Sequence, residues 1–158
     1  MRFVETPPND EIVHRIKNEK NVEINSDKEV TKLYSEDSIL ELTAQRVIEA
    51  YNMGFDSDKS MELFDEKNEL RVINLKELCR NRTRIREQKG RIIGEDGRTK
   101  ELIEELTGTN LVISDKKIGI IGNVLDVMFS LDIIDDIVSG IPHSRVYKKM
   151  EQYNSVEK

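Results

Sequence analysis

Cysteine occurs once in these 158 residues, at Cys79; tryptophan is missing, and histidine occurs twice, at His14 and His143. One cysteine excludes an internal disulfide and a cysteine-rich metal site, and two histidines far apart in the chain do not make a metal centre. Acids such as Glu101, Glu104 and Glu105 are spread along solvated helix faces, so neither a triad nor a working carboxylate pair can be assembled. The expectation is a protein without catalytic residues, metal or cofactor. No run approaches the ~18 apolar residues of a membrane span, and the first residues, Met1 to Pro8, lack the apolar core of a signal peptide, so a reducing, cytoplasmic setting is expected. Glycine is unevenly distributed: none of the eight precedes Gly54.

Positive charge is in overall deficit, with a net charge of -6 and a pI of about 5.1, which by itself disfavours a polyanionic partner. The distribution reverses that conclusion locally. From Arg80 to Lys100 eight basic residues face three acidic ones, an excess of five that leaves the remainder at about -11. A basic run is ordinarily a solvated face, but this one surrounds a glycine turn.

The second half has the clearer pattern. Residues 70–75 alternate as a strand, and a first helix follows through the basic stretch. Gly94-Glu95-Asp96-Gly97 interrupts it, and a second helix runs from Arg98 to Thr107, stopped by Gly108. Residues 111–114 and 118–121 form a hairpin across Asp115-Lys116-Lys117. A helix capped by Asn123 then carries Leu125, Met128, Phe129, Ile133, Ile134 and Ile137 to Gly140, where Pro142 blocks continuation. The order is βααββα.

The first half repeats this order in shortened form. Residues 21–30 and 110–118 both place Ser-Asp-Lys between β-prone runs, and a helix capped by Ser38 and closed by Gly54 matches the one closed by Gly140. Only one short helix, Asn9 to Lys17, fits between the first strand and the hairpin. Residues 55–68, with Met61, Leu63 and Phe64, read as a connector holding a short helix capped by Ser57.

Two glycines three apart serve any tight turn that needs positive φ. Here they sit between two helices and ahead of a hairpin and a long amphipathic helix, and that combination resembles the KH domain. The segment Gly140-Ile141-Pro142-His143-Ser144-Arg145-Val146-Tyr147 is similar to the tail of one KH family, the two-KH small-subunit ribosome assembly factors of the partner of Nob-one group, archaeal type.

The resemblance implies an α+β protein of two KH-like modules: residues 1–54 a degenerate module without the glycine loop, 55–68 a connector, and 69–158 a type I KH domain with its tail. It implies binding of single-stranded precursor rRNA near the 3′ end of the small-subunit rRNA. The expected partners are the Nob-type endonuclease and other small-subunit assembly proteins, with no chemistry by the factor itself. The expected RNA-binding residues are Lys89, Arg91, Ile93, Gly94, Glu95, Asp96, Gly97, Arg98, Lys100 and Ile113. Loop N–H groups grip phosphate while bases lie across an apolar groove around Ile93 and Ile113, which takes about four nucleotides. Glu95 and Asp96 stand where they repel phosphate, and the rival expectation is a protein-interaction scaffold whose acidic loop has lost RNA affinity.

Overall fold

The structure, a computed structural model, describes residues 1–4, 10–79 and 81–157, with side chains described to residue 156. Two expectations touch residues outside these limits, the helix start at Asn9 and the first cation of the basic run, Arg80. The chain divides into two compact units, Met1–Leu70 and Arg71–Lys158.

In the first unit β1 (Arg2–Val4), α1 (Asp10–Lys20), β2 (Glu23–Ser26), β3 (Thr31–Tyr34) and α2 (Ser38–Met53) follow one another, and the sheet order is β1-β3-β2. Alternation sets the register: Ile24 pairs with Leu33, and both are buried. The cap of α2 is Asp37 rather than Ser38; its Oδ1 accepts from the N–H groups of Ile39 and Leu40 at 2.9 and 3.3 Å. Gly54, at φ 118°, closes the helix in a conformation that L side chains resist. Residues 55–68 fall within the first unit and pack on it through their apolar residues. Here α3 (Ser57–Met61), capped by Asp56 instead of Ser57, and a 3₁₀ turn (Glu62–Phe64) bury Phe55, Met61 and Leu63 in the first unit.

Strand β4 (Asn68–Asn74), α4 (Leu75–Leu78), α5 (Arg82–Ile93), α6 (Arg98–Thr107), β5 (Asn110–Ile113), β6 (Lys117–Asn123), α7 (Val124–Val138) and α8 (His143–Glu157) complete the chain. The sheet order β4-β6-β5 repeats that of the first sheet, strand for strand. The one-turn α4 was not expected; Asn74 caps it through Lys76 N at 3.0 Å, and Leu75 N donates to the carbonyl of Lys116 at 2.8 Å. Asn123 caps α7 through Asp126 N at 2.9 Å, as its position before an apolar run predicts. The core is aliphatic: Ile92 of α5, Ile103 of α6, Ile120 of β6, Ile133 and Ile137 of α7 and Met150 of α8 are fully buried together. Hydrophobic burial thus holds α6 and α7 against the sheet and α5 against α6 and α7, and α8 packs on α6 and α7.

Candidate nucleic-acid interface

Basic residues recur along α5 at positions that share one helical face. Asn81 starts the helix by accepting from Arg84 N at 2.9 Å. From there Arg82, Ile85, Arg86, Lys89 and Ile93 follow at spacings of three and four, so they project on one side. That side is the wall of a groove of about 510 Å³, whose other walls are Lys76 of α4 and the β5–β6 turn at Asp115 and Lys116, with Gly90 also on its surface. The volume falls in the roughly 300–1,000 Å³ range of clefts that take ligands. Five cations and one carboxylate line it. Lys89 Nζ lies 3.6 Å from that carboxylate, Asp115 Oδ1.

The groove runs to the glycine turn. Gly94 has φ 78° and ψ 173°, and a Cβ built there would stand 2.3 Å from Thr99 Oγ1 and 2.8 Å from Thr99 N. Only glycine fits that position, on conformation and on space. Gly97, at φ 77°, faces open space, so conformation alone favours glycine there. Asp96 takes the left-handed region at φ 55°, which aspartate tolerates, and both Glu95 and Asp96 are exposed at the turn. Because the cap of α6 is Gly97, no side chain accepts from the first N–H groups of that helix. An uncapped helix N-terminus beside a glycine turn offers donors and partial positive charge to an anion.

Behind the turn, the residues after α7 hold the two helix ends. The Arg91 guanidinium donates to the carbonyls of Ile137 and Ile141 at 2.6 and 3.2 Å. His143 Nε2 donates to the carbonyl of Arg91 at 2.9 Å, and the hydroxyls of Thr99 and Tyr147 are 2.8 Å apart.

The structure therefore sorts the ten expected residues. Lys89 and Ile93 line the groove, and Gly94, Glu95, Asp96 and Gly97 form the turn at its end. Arg98 is exposed beside the turn. Arg91 faces the end of α7 and is engaged there, and Lys100 pairs along its own helix with Glu104 at 3.0 Å. Ile113 is half-buried against the core and is not one of the side chains lining the groove. Sequence reasoning passed over Lys76, Ile85 and Lys116, and counted Arg82 and Arg86 in the basic run without assigning them to a face. The three- and four-residue spacing along α5 was the signal that finds three of them. Among the described residues, no group of three or more His, Cys, Asp or Glu side chains is placed to hold a metal ion, and no helix is long and apolar enough to cross a membrane.

A three-stranded sheet in this order, with two helices joined by a glycine turn and a third helix after the hairpin, defines the second unit as a type I KH domain. The family model of the second KH domain of PNO1, a eukaryotic-type (type I) KH domain, matches residues 69–155, and the chain belongs to that family. A KH domain-containing protein of Methanocaldococcus jannaschii is 27% identical over 135 residues, covering 83% of this chain and 59% of that protein. The pre-rRNA-processing protein pno1 of Emericella nidulans is 28% identical over 111 residues, covering 66% of this chain and 42% of its own. The chain thus spans about half the length of the curated relatives it matches. Dim2p of Pyrococcus horikoshii superposes with a TM-score of 0.81 at 26% identity, covering 96% of this chain and 98% of that one. In its complex with a/eIF2alpha and rRNA the TM-score is 0.85 at 24% identity, covering 98% and 94%.

Proposed function

We propose that this chain is a ribosome biogenesis factor that binds single-stranded precursor rRNA of the small subunit near its 3′ end, in the cytoplasm, beside an endonuclease that makes the cut. The observation that carries the reading is the α5 groove. Its cations track a phosphate backbone, Ile85 and Ile93 give unstacked bases an apolar wall, and the start of α6, which no side chain caps, turns its partial positive charge toward a phosphate at the groove's end. That a relative is named for pre-rRNA processing, and that the archaeal structure was solved with rRNA, supports the same assignment. The role is to hold RNA in position while the endonuclease makes the cut.

Crosslinking the full chain to RNA in extracts and mapping the contacts tests this. Contacts clustered near the 3′ end of small-subunit rRNA, on peptides of α5 and the turn, are expected; a scatter over unrelated transcripts would overturn it. One observation favours a second reading. Glu95 and Asp96 are exposed at the tip of the turn, as suits a scaffold that binds protein through an acidic loop. Crosslinks from the turn to protein alone would select that reading.

A further inference from the structure

Helix α8 lies outside the βααββα order, yet its first two turns reach both helix ends that bracket the turn 94–97. His143 holds the last turn of α5 through the Arg91 carbonyl at 2.9 Å, one of the carbonyls a helix end leaves without an intrahelical donor. One turn further on, Tyr147 holds the start of α6 through Thr99 at 2.8 Å. Thr99 is 1% exposed and is also the residue that Gly94 packs against, with no room for a Cβ between them. The Tyr147 hydroxyl therefore fixes the side chain that forms the back wall of the turn. His143 and Tyr147 meet edge to face with centroids 5.9 Å apart, which fixes them relative to each other.

We propose that Tyr147 is a positioning residue for RNA binding: without touching RNA, it sets the conformation of the turn 94–97 through Thr99, and α8 is thereby the element through which the affinity of the groove is tuned. The RNA clause rests on the function proposed above. Tyr147 is half-buried, and its ring packs on the core while its hydroxyl serves Thr99. The two contributions are separable, because removing the oxygen leaves the ring in place.

The test uses the full chain with Tyr147→Phe, Thr99→Val and Thr99→Ser, each read by titration with a single-stranded RNA of about eight nucleotides and by the amide NMR signals of residues 94–97 without RNA. Tyr147→Phe and Thr99→Val should each weaken binding about three- to tenfold, their combination should be no worse than either alone, and Thr99→Ser, which keeps a hydroxyl, should restore most of the affinity. The turn amides should move in the two variants that lack the bond and return toward wild-type positions in Thr99→Ser. Unchanged affinity and unmoved turn amides, with only the unfolding midpoint lowered, would overturn the proposal by making the bond merely structural. Wild-type chain that binds no single-stranded RNA would sink the functional reading and the RNA clause together, and the amides would then decide the conformational clause alone.

Discussion

Replacing Gly94 by alanine forces two costs on the second unit, and both can be worked from the geometry of the turn. At φ 78° and ψ 173° an L residue sits in a region that is essentially glycine's own, at about 1–3 kcal/mol. The added Cβ would also stand 2.3 Å from Thr99 Oγ1, 2.7 Å from Thr99 Cβ and 2.8 Å from Thr99 N. The last of these is backbone, so a rotamer change does not relieve it, and overpacking of this kind costs roughly 1–3 kcal/mol more. A total of about 2–6 kcal/mol should lower the urea midpoint by about 1–4 M, at a denaturant slope near 1.5 kcal/mol per molar. Gly97→Ala is the internal control: its Cβ meets nothing within 4 Å, so only the left-handed conformation is charged, at about 1–2 kcal/mol. The assay is urea unfolding of the full chain, followed through the amide signals of β6, which report the second unit. Equal midpoints for the two variants, or a Gly94→Ala midpoint within error of wild type, would refute the claim that Thr99 occupies the space behind the turn.

Arg82→Ala combined with Arg86→Ala should weaken RNA binding and lower the salt slope by about 1.4, or roughly 0.7 per lost phosphate contact on a single strand, with stability unchanged. Arg91→Ala should do the reverse, costing roughly 1.5–3 kcal/mol of stability through its two carbonyl partners and leaving the salt slope intact; titration at several salt concentrations and urea unfolding separate the two cases. Glu95→Lys should raise RNA affinity roughly three- to thirtyfold at low salt, with the gain shrinking as salt rises; a flat response with preserved folding would place phosphate elsewhere. In the first unit, hydrogen bonds from Val30 N and then Glu29 N, both 2.8 Å from Asp27 Oδ1, hold that carboxyl below the usual carboxylate range. A depressed folded value means the stabilisation is present above the unfolded value and is lost as pH falls through the folded one. Asp27→Ala should therefore lower the midpoint at pH 7 and flatten its decline below about pH 4; an unchanged acid limb would count against the bond.

The helix closed by Gly140 and the glycine turn were legible because each depends on local chemistry: a cap before an apolar period, and glycine where φ must be positive. The caps at Asp37 and Asp56 were misplaced by one residue because each is followed by serine, which caps as well, and only the chain's entry angle decides between them. Helix α4 escaped notice because four residues give no periodicity and one of its anchors, the Lys116 carbonyl, is 41 positions downstream of Leu75. The placement of Arg91 is hidden for a related reason. Beside the turn in sequence, it reads as part of the turn's charge, but its helical azimuth points it at the end of α7, and a partner 46 residues away has no sequence signal. The groove wall on α5 was the reverse case, written in the spacing and obscured by counting charges without assigning them to a face.

Gly90 sits in the interior of a twelve-residue helix, where glycine costs about 1 kcal/mol relative to alanine. Its backbone needs no special conformation, and a Cβ there would meet nothing, so neither of the usual structural demands for glycine applies. It lies on the groove surface, one turn before the glycine loop. The fold forgoes helix stability at the position where a flat ring could rest directly on the backbone. A methyl group added there would meet no protein atom and would project from the groove surface, so Gly90→Ala trades open groove for helix stability.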